Sequence, residues 1–139
     1  MLGNRDFELL NFEPDVNFHA PILLSHLVGS TDAGDAGGLV VSQMLASLPV
    51  TRVATFDADS LLDYRSTRPT VTIDNWHVSA VDVPQIAIDL VQDDKGTPIL
   101  LLHGPEPDTK WQAFAGEVAE FAREAGVEIL VSLTGMPAA

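Results

Sequence analysis

Ten residues set between an apolar strand-like run and an apolar helix-like one, Gly29-Ser30-Thr31-Asp32-Ala33-Gly34-Asp35-Ala36-Gly37-Gly38, form the chain's one dense cluster of glycine and carboxylate. Asp32 and Asp35 are oxygen donors three residues apart, and glycines at such a turn permit close approach of a backbone or a ligand. His103-Gly104-Pro105-Glu106-Pro107-Asp108 supplies a second set, with an imidazole able to serve as ligand or general base. Brought into one cleft, Asp32, Asp35, His103 and Glu106 would hold a divalent cation or a polar ligand, with Gly29 and Gly34 shaping the turn. The aspartates also have a plainer use as helix N-caps, because a short carboxylate accepts free amide hydrogens of the first turn and complements its dipole. In that case Glu106 is solvated and His103 simply ends a strand.

Established catalytic patterns do not fit. The glycines do not give G-x-G-x-x-G, and no G-K-[ST] follows, so neither a dinucleotide site nor a P-loop is supported. Gly29-Ser30-Thr31 is not a nucleophile elbow. The histidines at 19, 26, 77 and 103 never fall four apart on a helix, so zinc-hydrolase spacing is absent. No catalytic residue, cofactor or resident metal is assigned on this basis. His26 sits inside an apolar run and reads as a satisfied core residue. A second group, Tyr64, Arg65, Arg68 and Trp76, has the residue types enriched in interface cores, and the two arginines could bind a carboxylate there or pair within the chain.

These residues must be positioned by α/β elements. Met1 to Pro21 mixes Asn, Asp and Glu with Phe and Leu, is broken by Pro14 and Pro21, and reads as an irregular arm over the body or a neighbouring subunit; residues 22–139 read as one α/β domain. Ile22–Val28 is a seven-residue apolar run ended by glycine, a buried strand. Ala36–Ser47 reads as a helix stopped by Pro49, and Thr51–Phe56 as a β-branched strand, giving a βαβ unit with a right-handed parallel crossover. Asp57–Tyr64 reads as a short helix or capped turn. Thr70–Ile73 and His77–Val81 flank Asp74-Asn75-Trp76 as a hairpin, and Ile86–Val91 pairs with Pro98–His103 as a second. Ile99–Leu102 suits a central strand buried on both faces. Lys110–Ala125 is the clearest helix, with Trp111, Phe114, Val118 and Phe121 inward, Glu117, Glu120 and Glu124 outward, Asp108 or Thr109 as cap and Gly126 as its left-handed end. Val127–Leu133 reads as a second buried parallel strand. Ligands in open α/β sheets bind beyond the carboxyl ends of parallel strands, which puts Gly29–Gly38, His103–Thr109 and Thr134–Pro137 around one cleft.

A length of 139 residues with 46% hydrophobic residues supports one substantial core rather than disorder. A net charge of -13 without basic clusters disfavours nucleic acid and anionic membrane as partners. Zero cysteines remove disulfides and thiolate sites, and acidic residues stand where a signal peptide would be apolar, so the expected location is the cytoplasm.

Several stretches, in order, resemble the proteasome assembly chaperone 2 (PAC2) family in its bacterial and archaeal branch. They are Asp32-Ala33-Gly34-Asp35-Ala36 after a strand, Phe56-Asp57-Ala58-Asp59 with Asp63-Tyr64-Arg65, and Arg68-Pro69-Thr70-Val71. Leu101-Leu102-His103-Gly104-Pro105-Glu106-Pro107 followed by Trp111 and Phe114 completes the set. Ser30 and Thr31 stand where the family usually has an aromatic and a small polar residue, and Ala58 replaces a common Pro. The resemblance implies a three-layer α/β/α fold of the phosphorylase or hydrolase-like type, with a mixed, largely parallel sheet plus hairpins. It also implies a homo-oligomer with a protein partner of the proteasome-assembly type and no established enzymatic activity. The alternative is a hydrolase or phosphorylase-like enzyme using the carboxylate and histidine cleft. Family members typically continue past the Gly135 region, so the chain is expected to be part of a longer protein.

Overall fold

Short apolar and β-branched runs closed by Gly, Pro or Asp become strands, and the runs with 3-4 apolar spacing become helices. The computed structural model describes residues 7–138, so the first six residues of the expected arm lie outside it. The elements are β1 (Leu10–Phe12), β2 (Ile22–Val28), α1 (Ala36–Ser47), β3 (Val50–Phe56), α2 (Ala58–Leu61), β4 (Thr70–Asp74), β5 (His77–Asp82), β6 (Ala87–Gln92), β7 (Pro98–Pro105), α3 (Trp111–Glu124) and β8 (Ile129–Ser132). A six-stranded sheet has the order β1-β3-β6-β7-β2-β8, and β4 and β5 pair apart from it. β2 is parallel to β7 and β8, while β6 is antiparallel to β7 and β3, and β1 to β3. Four strands therefore run one way and β1 and β6 the other, the mixed sheet expected.

Alternation along the strands gives each face its own character. Leu23, Ile88, Leu100 and Leu102 share one face with Phe114 and Phe121 of α3 in the main core. The other face carries Leu101, His26, Asp89 and His103, and α1 crosses it, its Gly37 lying against the His26 ring. α1 buries Val41 but leaves Leu39 and Val40 exposed. Helices on both faces of one sheet make the three-layer α/β/α arrangement. Among the described residues no helix is long and apolar enough to cross a membrane.

β2 and β3 run in the same direction in one sheet, as a parallel crossover through α1 requires, with β6 and β7 between them. Three expectations are corrected. The first hairpin, β4–β5, stands outside the main sheet. β8 is parallel as expected, yet it is an edge strand with a single neighbour, so Ile129 and Leu130 are more than half exposed. The stretch read as an irregular arm contributes β1 to the opposite edge. Its Phe12 stacks on Phe121 and its Phe18 packs against the same ring at a tilt, with ring centroids 6.1 and 5.8 Å away.

Helix α3 differs from its pattern in three further places, the first being Trp111, which opens the helix and is exposed rather than inward. Lys110, in the left-handed region at φ 56°, precedes it without a side-chain cap. Asp108 instead accepts the Asp63 amide at 2.7 Å, and the Thr109 hydroxyl donates to the Ser60 carbonyl at 3.0 Å. Glu117, spaced as a solvent residue, is buried. Its carboxylate accepts the backbone amides of Glu8 at 2.6 Å, Leu9 at 2.9 Å and Leu10 at 2.9 Å. Three amide donors make burial of that charge tolerable, since a carboxylate in an apolar setting must be hydrogen-bonded. The bonds tie the N-terminal segment and β1 to α3. Glu117→Ala leaves these donors without a partner and should lower stability by about 2–4 kcal/mol in urea unfolding. Glu117→Gln, which keeps an acceptor, should cost less, and only the alanine variant should expose the segment before β1 to limited proteolysis.

Candidate functional site

β2 is flanked by β7 and β8 in parallel register, so the carboxyl ends of all three strands lie at one end of the sheet. The loops leaving them meet. Gly135 lies in a parallel bridge with Asp32; its amide donates to the Thr31 carbonyl at 2.8 Å, and its carbonyl accepts the Ala33 amide at 3.0 Å. The Glu106 amide donates to Val28, and its carboxylate accepts the Ser30 amide at 3.2 Å and hydroxyl at 3.3 Å. The expected junction of three loops is thus present.

The glycines are where the close approaches occur. A Cβ on Gly29 would collide with the Glu106 side chain, one on Gly37 with the His26 ring, one on Gly38 with the Asp35 carboxylate, and one on Gly135 with the Ala33 carbonyl. Gly34 has φ 80°, a conformation that a side chain would strain.

The junction sorts the candidate residues differently from the sequence pattern. Asp32 and Asp35 gather around His26, with one ligand atom from each of the three within 4.8 Å of the others. Asp35 precedes α1 in the left-handed region at φ 53° and makes no side-chain cap bond, so the capping role expected of it is not used. Glu106 is taken up by Ser30. His103 is drawn away from Asp32 and Asp35 by the Asp89 carboxylate at 2.6 Å.

Asp89 is the residue that the pattern reading passed over. Its side chain is 3% exposed, and it also accepts the Arg52 Nε–H at 2.6 Å. A bulge positions that arginine: Arg52 pairs with Asp89 and Ala54 with Ile88, so the extra residue Val53 puts Arg52 opposite Asp89. Burial pushes the Asp89 carboxyl up, but hydrogen bonds from His103 and Arg52 outweigh it and hold the group below the ordinary carboxylate value. The signal was available, since Asp89 is a lone carboxylate in the apolar run Ala87-Ile88-Asp89-Leu90-Val91. The His103 ring bonds a carboxylate here, not a hydroxyl nucleophile.

The four interface candidates lie elsewhere. Tyr64, Arg65 and Arg68 line an open cleft with Asp59, Val71 and Val81. Arg65 pairs with Asp63 at 2.8 Å, and its hydrogen bonds hold that exposed carboxyl down at about 2. The Tyr64 hydroxyl donates to Asp59 at 2.5 Å. Trp76 stands at the β4–β5 tip, 97% exposed.

With this geometry in place, comparison with known proteins decides the family. The sequence profile of the PAC2 family matches residues 26–139. The chain belongs to the PAC2 family. A Corynebacterium glutamicum protein of unknown function superposes with a TM-score of 0.87 at 32% identity, over 94% of this chain and 51% of that one. A Mycobacterium tuberculosis protein of unknown function gives 0.81 at 35%, over 94% and 46%. A proteasome-assembly chaperone homologue, also from Mycobacterium tuberculosis, gives 0.75 at 24%, over 81% and 48%; at that identity the likeness is one of fold. The chain spans about half the length of these structures. No curated protein matches it.

In this PAC2 chain the buried Asp89 makes stability depend on pH with a definite sign. Its folded value lies below its unfolded one, so its contribution is complete above about pH 4 and is lost as pH falls through the folded value. Asp89→Asn should be destabilised at pH 7. The gap from wild type should narrow progressively as urea midpoints are compared at pH values further below about 4, because the stabilising contribution of that charge is lost in acid.

Proposed function

We propose that this PAC2 chain works through protein–protein contacts, as a homo-oligomeric factor of the proteasome-assembly-chaperone kind, without catalysis of its own. The observation that carries this reading is the β4–β5 hairpin. Val71 pairs with Val81 and Ile73 with Val78, so the four side chains share one face, while Thr70, Thr72, His77 and Asp82 alternate with them. An apolar-and-polar alternation of this kind belongs to a strand pair packed on a core, yet all four apolar residues are at least half exposed. Two strands alone in water are marginally stable, so a covered apolar face suits this hairpin better than a bare one. Asn75 and Trp76 take φ 46° and 67°, the paired positive angles of a tight hairpin turn, and project the indole beyond the strands.

Exposed aromatic and β-branched residues in one patch mark interaction surfaces, and tryptophan is the residue type most enriched among binding hot spots. Family membership and a structural neighbour that is a proteasome-assembly chaperone homologue support a partner of that type. A cytoplasmic location goes with this role. The hydrolase-like alternative finds less support, because His103 is committed to Asp89 and Glu106 to Ser30.

Trp76→Asp combined with Ile73→Asp should abolish self-association in light scattering, and retention of proteasome subunits in a pull-down, while shifting thermal stability little, since both side chains are solvent-exposed. Wild-type protein that stays monomeric at tens of micromolar and retains no proteasome subunit would overturn the proposal.

A further inference from the structure

We infer that His26, Asp32 and Asp35 form a binding site for a first-row divalent metal ion such as Zn²⁺ or Mn²⁺, at the carboxyl end of β2. His26 is 2% exposed, and its Nδ1 lies 3.1 Å from the Leu133 carbonyl oxygen. A carbonyl only accepts, so Nδ1 carries a proton, and a ring with that single proton presents its lone pair at Nε2. This is the outer hydrogen bond that orients a metal-binding histidine and fixes its tautomer. Nε2 is fully buried and has no hydrogen-bond partner. It faces the Asp32 carboxylate at 3.5 Å, whose side chain is only 7% exposed.

With the single proton on Nδ1, Nε2 and the Asp32 oxygen are two acceptors across that distance and repel unless positive charge lies between them. Asp35 brings a third acceptor to the same point, and among the described ion pairs neither aspartate is matched by a lysine or arginine. One proton on the ring would offset one carboxylate, whereas a divalent ion offsets both. The surroundings are shaped for this grouping: Gly37 clears the space taken by the imidazole and Gly38 the space taken by the Asp35 carboxylate. Asp35 stands at the N-cap of α1 without a side-chain cap bond, so its carboxylate is not engaged by the helix.

The donor set selects the class of ion. One imidazole nitrogen with two carboxylates and no thiolate suits Zn²⁺ or Mn²⁺, whereas Mg²⁺ and Ca²⁺ favour all-oxygen shells. Ligands about 2.1 Å from an ion lie at most about 4.2 Å apart. The observed 4.8 Å spread closes with less than about 1 Å of movement, which the exposed Asp35 can make. Three protein ligands leave at least one coordination position for water or a bound group. The site joins the Gly29–Gly38 turn to the exit of β8 through His26 and Leu133.

Titration of the 139-residue chain with ZnCl₂ and with MnCl₂, followed by calorimetry and thermal unfolding, tests the inference. Saturable 1:1 binding of at least one ion is expected, with a melting temperature that rises with ion concentration. Imidazole NMR should show the His26 Nε2 resonance moving or broadening on addition of that ion. Asp35→Asn, at an exposed position without a side-chain cap bond, should fold normally and bind about tenfold more weakly or worse, and Asp32→Asn likewise. Failure of both ions to saturate a single site at about 1 mM would overturn it, as would affinity unchanged in both variants. A His26 ring protonated at both nitrogens at neutral pH and indifferent to either ion would do the same.

Discussion

The parallel ladder that β2 makes with β7 on one side and β8 on the other is the constraint on which the rest of this end of the molecule depends. Ile22–Val28 pairs in register with Ile99–Pro105, and Ile22–Ser25 with Ile129–Ser132. Parallel strands in register end together, so three loops distant in sequence must emerge side by side. The ladders continue into those loops through the amides of Glu106 and Leu133, which donate to Val28 and Ser25. Once the exits are fixed, there is room for a side chain at few places. Gly29, Gly37, Gly38 and Gly135 occupy the points where another group already fills the space.

The two faces of the sheet solve burial in different ways. Toward α3, leucine, isoleucine and phenylalanine close the core, and Glu117 clamps the N-terminal segment. Toward α1, the central strands carry titratable groups: His26 on β2, His103 on β7, Asp89 on β6 and Arg52 on β3. A buried carboxylate is costly to desolvate, and Asp89 offsets that cost with two charge-assisted hydrogen bonds at 2.6 Å. His26 is satisfied at only one of its two nitrogens. A face that is polar, closely fitted and incompletely paired is where an α/β sheet of this kind has chemistry to offer.

Apolar surface left uncovered tells a second story at the periphery. The β4–β5 hairpin, the β8 edge and the Leu39–Val40 part of α1 all present large aliphatic side chains to water. Their sequences alternate or repeat as covered elements do, so the local pattern and the observed exposure disagree. The proposed role in protein–protein contacts would reconcile them.

Local pattern by itself determined the α/β class, both hairpins, the central placement of Ile99–Leu102, the helix ending at Gly126 and the meeting of three loops, because strand length, glycine position and 3-4 spacing act over a few residues. The PAC2 motifs were legible for the same reason. Which side chains share a site was decided only in three dimensions. Glu117 has the spacing of a solvent residue, but a backbone more than a hundred positions away supplies its donors. His103 stands near Glu106 in the chain and was grouped with Asp32, yet Asp89 on the neighbouring strand captures it. His26 looked like an ordinary core histidine, and its unpaired nitrogen becomes visible only when the turn after β2 folds two aspartates back over it. Hydrogen bonds and charge pairs are satisfied by whatever register and strand order bring near, and neither is written in the local pattern.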